Sequence, residues 1–302
     1  MNIATILTCY NRKDKTIKCL QHLFAATTRY NEDCSKDDPV RIAVFLTDDG
    51  CTDGTAHAVT DICQGKELHI VQGNGQCYWA GGMRMAWREA LKEKDRWQFY
   101  LLLNDDTYMY EDAFIHLLHA HSHALQHFGK PGIYSGITCD TTDTGKITYG
   151  GHVWTKYLLG QSRMLTPTGK PQLCDKANSN IMLIDRSVVD AIGIFHDGYQ
   201  HGCADYDYSM QTRKRGIPVL VTATTCGTCE YDHRSNEELK ARLLSMTLSQ
   251  RKAFFKNPLH SQADIQLLKK RNTPIRYLPG ALGRWLNVYM PHFYYFLSDI
   301  RK

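Results

Sequence analysis

No stretch of the 302-residue chain approaches the roughly 18 uninterrupted apolar residues of a membrane-spanning helix, so a bilayer-threaded protein is not expected. The N-terminus lacks the succession of an export signal, because Met1 leads directly into a strand-like segment. Internal repeats and low-complexity tracts are also missing. The eleven cysteines show no disulfide framework: their number is odd and they are scattered. Without an export signal, reduced thiols in a cytosol are the expectation. Cys226-Gly-Thr-Cys229 and the following His233 lack a second pair at zinc-finger spacing, which argues against a structural zinc but leaves it open. Gly73-Asn74-Gly75 lacks the third glycine of a dinucleotide fingerprint, whose place Tyr78 takes, and it follows the third strand instead of the first. A nicotinamide site is therefore not expected. These glycines better suit a backbone that approaches a ligand near a helix N-terminus, where phosphate is welcome.

What remains is an ordinary globular composition, 43% hydrophobic and 22% charged, with length for one large domain, or for one domain plus a helical extension. A formal charge of +5 suits anionic substrates or an anionic membrane surface without arguing for nucleic acid. Phe99-Tyr100-Leu101-Leu102-Leu103 runs straight into Asn104-Asp105-Asp106. A continuous apolar run of that length suits a strand buried on both faces of a parallel sheet. Adjacent carboxylates at its end repel each other unless a cation sits between them, or unless they are simply solvated in a turn.

The rest of the first half repeats this arrangement. Strands are expected at 3–7, 41–46 and 68–71, with helices from Asp14 to about Ala26 and from Met83 to Lys94, and a loop over 29–40. Thr52 or Asp53 is the expected cap of the helix after the second strand. Strand, loop and helix alternate to about residue 128, which predicts a mostly parallel sheet covered on both faces. Its strand ends collect Thr8, Asn11, Asp48, Asp49, Asn104, Asp105 and Asp106, where ligands of open α/β sheets bind. After residue 130, segments 132–138, 146–154 and 180–185 read as strands of a smaller mixed sheet. The stretch 202–216 reads as a helix with acids at its start, Asp205 and Asp207, bases near its end, and a terminal Gly216, as a macrodipole favours. A further helix is expected over 237–255. The aromatic tail at 282–297 is expected first to pack on the domain, a homodimer contact or a place at a membrane surface being the alternatives.

Taken in order, these stretches resemble a family-2 glycosyltransferase of the GT-A (nucleotide-diphospho-sugar transferase) fold, in a bacterial, rhamnosyltransferase-like branch. The likeness covers residues 1–235 as the transferase domain and leaves 236–302 as a helical C-terminal extension. Thr8-Cys9-Tyr10-Asn11-Arg12 resembles the first-strand end that holds the nucleotide. Asp48-Asp49-Gly50-Cys51-Thr52-Asp53-Gly54-Thr55 is close to the family's Asp-Asp-Gly-Ser-Thr-Asp-Gly-Thr run, with Cys51 replacing serine. The resemblance assigns base recognition to Asp48, with Asp49 adjacent. Asn104-Asp105-Asp106 stands at the Asp-X-Asp metal motif, with asparagine replacing the first acid, which leaves Asp106 as metal ligand. Ala204-Asp205-Tyr206-Asp207 matches the family's Glu-Asp helix, and Asp205 carries over as catalytic base, Asp207 being the other candidate. His233 resembles a histidine that completes the metal site. Trp79, Gly81 and Gly82 are candidates to line the donor-sugar pocket, Trp79 serving equally as core. Asn178 and Asn180 are candidates for sugar hydroxyls.

The resemblance implies a metal-dependent, inverting transfer from a nucleoside-diphosphate sugar, with UDP or dTDP expected, to a hydroxyl of a saccharide or lipid-linked saccharide acceptor. Carboxylate donors suit Mg²⁺ or Mn²⁺, and a histidine ligand favours Mn²⁺. A helix N-terminus is expected to keep Asp205 ionised. The implied location is the cytoplasm, with peripheral contact at the inner face of the membrane as an extension of it, in polysaccharide or glycoconjugate assembly. Two other functions compete. A sugar-phosphate nucleotidyltransferase would place a Gly-rich loop after the first strand, where this chain has Tyr10-Asn11-Arg12. A non-catalytic surface-binding protein would use the aromatic tail and the positive charge.

Overall fold

The computed structural model of the protein describes residues 1–33, 38–231 and 235–300. Its first half alternates as its hydrophobic pattern requires: β1 (Asn2–Cys9), α1 (Lys13–Asp33), β2 (Arg41–Asp48), α2 (Thr55–Ile62), β3 (Glu67–Gln72), α3 (Tyr78–Ala90) and β4 (Phe99–Leu103), then β5 (Tyr108–Met109) and α4 (Ala113–Phe128). Short strands and turns dominate the next part: β6 (Ile133–Cys139), β7 (Ile147–Tyr149), β8 (Gly151–Lys156), β9 (Gln161–Met164), β10 (Gln172–Leu173), β11 (Lys176–Ala177) and β12 (Ile181–Asp185). Then come α5 (Arg186–Ile192), α6 (Ala204–Lys214) and β13 (Val219–Thr228). The chain closes with α7 (Asn236–Ser245), α8 (Leu248–Lys256), α9 (Gln262–Asn272), α10 (Tyr277–Tyr289) and α11 (Pro291–Ile300).

Among the described residues one large sheet runs β10-β13-β6-β12-β4-β1-β2-β3, with β5 and β7 attached at its side. Strands β1, β2, β3 and β4 are mutually parallel, whereas β12 runs antiparallel between β4 and β6. A second, antiparallel sheet is β11-β8-β9. The alternation of side chains along β4 shows why an unbroken apolar run was needed. Phe99, Leu101 and Leu103 join Leu20, Leu23 and Phe114 on one face. Tyr100 and Leu102 join Met83 and Trp87 on the other.

Several boundaries differ from the sequence expectation for identifiable reasons. Helix α1 runs past residue 29 because Asn31 donates to the Val40 carbonyl at 2.9 Å and accepts from its amide at 2.7 Å, tying the helix end to the start of β2. Asp14 sits inside the first turn, and the Lys13 amide instead bonds Asp53 at 3.0 Å. Neither Thr52 nor Asp53 is the N-cap of α2. Gly54 holds that place in left-handed conformation, with Asp53 accepting from the Thr55 amide. The single helix expected over 237–255 is two, because Thr247 and Gln250 form a reciprocal capping box that starts α8.

The helices after residue 236 have a small core of Leu243, Phe254, Phe255 and Val288. Two buried carboxylates fasten α9 to the rest. Asp207 of α6 accepts from Arg271 at 3.0 Å and Asn272 at 2.6 Å. Asp264 accepts from the amides of Gln200, His201 and Gly202 at 3.1, 2.9 and 2.9 Å. These contacts fix the loop that delivers the chain into α6.

Candidate active site

Because β1, β2 and β4 are parallel neighbours, their carboxyl ends open on one edge of the sheet. Asp48, facing Cys9 in register, accepts the Cys51 amide at 2.7 Å. The Asp49 carboxylate accepts the amides of Gly75, Cys77 and Tyr78 at 2.8, 3.0 and 3.2 Å. Both aspartates are buried. The glycine loop therefore wraps a carboxylate of the chain itself, and a Cβ on Gly73 would lie 2.6 Å from Asp49 Oδ1. Asn11, at a φ of 50°, accepts the Thr52 amide at 2.8 Å and knits the β1 end to the β2 loop. Tyr10 is 54% exposed with its ring edge beside Gly75, forming an open aromatic wall.

The three residues expected at a sugar pocket separate here. Gly82 is where α3 crosses β1: an added Cβ would stand 2.8 Å from Thr8 Cβ and closer still to its hydroxyl. Thr47 also donates to the Gly82 carbonyl at 2.8 Å. Gly82→Ala is expected to cost about 1–3 kcal/mol by overpacking, measurable by urea denaturation. Gly81 has ordinary room, 3.7 Å from Cys77 and Arg84. Trp79 donates to Asn104 Oδ1 at 2.9 Å and packs against Phe195, so its indole holds Asn104 in place.

After β4 the three polar side chains diverge. Asn104 turns to Trp79, and Asp105 turns inward to Thr16 of α1 at 3.4 Å. Asp106 meets Arg12 at 2.7 Å. Burial, and then the neighbouring Asp106 charge, push Asp105 up to about 7, against the pull of Arg12, which is 3.4 Å away. Asp106 Oδ1 faces the Cys229 thiol at 3.9 Å. The Asp106 carboxylate is the hard oxygen ligand a divalent cation takes, and a cation there would share or displace the Arg12 guanidinium that holds its Oδ2. His233, the expected partner ligand, lies outside the described residues.

Asp205 opens α6 and is buried. Its Oδ1 accepts the Tyr206 amide at 2.8 Å and its Oδ2 the Ser179 amide at 3.2 Å. Those amides favour the ionised carboxylate, yet burial outweighs them and raises Asp205 to about 6. Desolvation thus opposes the helix N-terminus and is the larger effect, though a carboxyl near 6 is still mostly ionised at neutral pH. Asp207, two residues on and so on another side of the helix, is committed to Arg271 and Asn272.

Sequence reasoning missed what joins these groups. Ser179 and Asn180 span the gap: Ser179 holds Asp205, the Asn180 carbonyl accepts the Asn104 amide at 3.1 Å, and the Asn180 amide contacts Cys229 at 3.4 Å. Asn178 lies beside Tyr206, whose hydroxyl it meets at 3.4 Å. Non-glycine residues with positive φ also gather here, at Asn11, Tyr78 and Cys203, a strain signal invisible in the sequence. Cys226 and Cys229 do not act together. Cys226 is packed in the core beneath the sheet and Cys229 faces Asp106. Another trio, Cys9, Cys51 and Asp48, brings its ligand atoms within 4.8 Å.

Comparison with known proteins agrees with this geometry. The chain resembles S. aureus TarS 1-349 at 15% identity and a TM-score of 0.52, covering 95% of this chain and 79% of that one. The same fragment in complex with UDP gives 16% identity and 0.52, over 89% and 70%. The mannosyltransferase PcManGT from Pyrobaculum calidifontis, in complex with GDP-Man and Mn²⁺, gives 15% and 0.51, over 98% and 83%. At such identities the likeness is one of fold, and that fold is GT-A. No curated protein matches the chain in sequence. The family model described as glycosyl transferase family 2 matches residues 5–179, more than half of the chain, and with the mostly parallel sheet and its acidic edge it shows that the chain belongs to that family.

Proposed function

We propose that the protein is a metal-dependent, inverting glycosyltransferase that takes a sugar from a pyrimidine nucleoside diphosphate, UDP or dTDP, to a hydroxyl of a saccharide or lipid-linked saccharide. The observation that carries this is the Ser179–Asn180 stretch, which holds Asp205 on one side and the Asn104–Asp106 turn on the other. That linkage supports a reading in which a base and a diphosphate-side carboxylate serve one site. Asp106, with His233, is the residue to hold Mn²⁺ or Mg²⁺, which when bound supplies positive charge to the leaving diphosphate. Arg12, paired with Asp106 at 2.7 Å, adds a fixed positive charge at the same place.

Asp205 takes the proton of the acceptor hydroxyl while that oxygen bonds to the anomeric carbon and the diphosphate leaves with the electron pair of the broken bond. Attack from the side opposite the leaving group inverts the configuration. Asp48, Tyr10 and Asn11 form the base-binding end, Gly81 is the open position of α3, and residues 1–235 make up the transferase domain with 236–302 appended. A rhamnosyltransferase-like branch and a cytosolic setting fit the sequence pattern.

A thermal-shift panel of UDP, dTDP, GDP and CMP, alone and as nucleotide sugars, tests the donor. A pyrimidine diphosphate at a hundredfold excess over its Kd stabilises the protein by about 2.7 kcal/mol, and Mn²⁺ enlarges the shift. Asp106→Asn is expected to abolish the Mn²⁺ increment. Well-folded protein that shifts with none of these ligands overturns the reading.

A further inference from the structure

Helix α10 carries Leu278, Leu282, Trp285 and Tyr289 at spacings of four, three and four residues, all between 45% and 74% exposed. Phe293 and Phe296 extend the row along α11 and are exposed as well. A stripe of that spacing normally faces a core. A second segment, distant in sequence, joins it: the Tyr157 hydroxyl donates to the Asn272 carbonyl at 3.0 Å, and the exposed Leu158 and Leu159 lie against the turn that bears the exposed Ile275. Charge is distributed with the same bias. Residues 236–302 hold twelve Lys and Arg against four acids, while the remainder of the chain holds 24 against 27.

We propose that this face, made by α10, α11 and the 157–159 turn, docks on an anionic lipid bilayer. The basic excess of this segment, with Arg276 and Arg284 at α10 itself and Lys252 over the Tyr289 ring, complements acidic headgroups, whereas a second copy of the chain would bring like charge against like. Among the described residues no helix is long and apolar enough to cross a membrane, so the contact is interfacial. The surface also leads to the site. Trp154 stands edge-on to Tyr157, Lys176 lies over the rings of Trp154 and Tyr206, and Tyr206 follows Asp205. Resting on the transferase reading, this makes the acceptor a lipid-linked one presented from the bilayer.

Flotation of the full chain with vesicles tests the surface. Vesicles of equal phosphatidylcholine and phosphatidylglycerol are expected to bind at least about tenfold more tightly than phosphatidylcholine alone, and high salt should erase the difference. The double variant Leu282→Glu with Trp285→Glu should lose about tenfold or more, while Leu125→Glu, an exposed site on α4, should not. Donor thermal shifts on the same samples separate the two ideas. A retained nucleotide shift without vesicle binding overturns the surface alone, and vesicle binding without any nucleotide shift overturns the transferase reading alone. A concentration-dependent dimer dissolved by Leu282→Glu also overturns the bilayer assignment.

Discussion

Asp205→Asn is expected to slow turnover by about 10²–10⁴-fold with donor affinity unchanged, the range that loss of a general base produces. The amide cannot accept the acceptor proton, but it preserves the shape that Ser179 and Tyr206 surround. Steady-state kinetics beside a nucleotide thermal shift make the measurement. A variant that loses donor binding as well shows that Asp205 serves structure instead. The wild-type pH profile adds a sign that a purely structural aspartate would not give. With Asp205 raised to about 6, the base is protonated below that value, so the rate should fall about tenfold per pH unit on the acid side. Stability should move oppositely. The folded state holds this proton more tightly than the unfolded chain, whose value is near the ordinary 3.8. The stabilisation is complete below that value and is lost as pH rises through about 6. Asp205→Asn carries no charge to bury and should flatten that slope.

The parts legible in the sequence are those governed by short-range periodicity. Phe99 to Leu103 reads as a strand covered on both faces, and the repeated strand–loop–helix units predict parallel neighbours with aligned carboxyl ends. Capping decided what was misread. The serine, methionine and threonine at 245–247 look like helix interior until Thr247 is seen to bond Gln250. Strands β9, β10 and β11, two to four residues long and largely polar, carry no period to detect. At the site, the residue types were readable and their partners were not. Nothing in the sequence pairs Arg12 with Asp106, 94 positions away, or puts Ser179 beneath Asp205. Whether an aspartate of a doublet faces a ligand or its own loop depends on such contacts.

The doublet at the end of β2 gives the second large effect. Asp49→Ala is expected to destabilise the protein by about 3 kcal/mol, because three amides, those of Gly75, Cys77 and Tyr78, lose a buried charged acceptor at once. These amides include the start of α3, where a negative charge also answers the helix dipole. Asp48→Ala removes the bond to the Cys51 amide and the weaker one from its thiol, a loss of about 1 kcal/mol. Urea denaturation and nucleotide titration of both alanine variants should therefore split in opposite directions. Asp49→Ala loses stability foremost, and Asp48→Ala keeps its fold and loses the pyrimidine nucleotide. Equal losses of stability in the two variants would mean that the 73–78 loop is held by its glycine turns and not by the Asp49 carboxylate. A stable Asp49→Ala that fails to bind nucleotide would move base recognition from Asp48 to its neighbour.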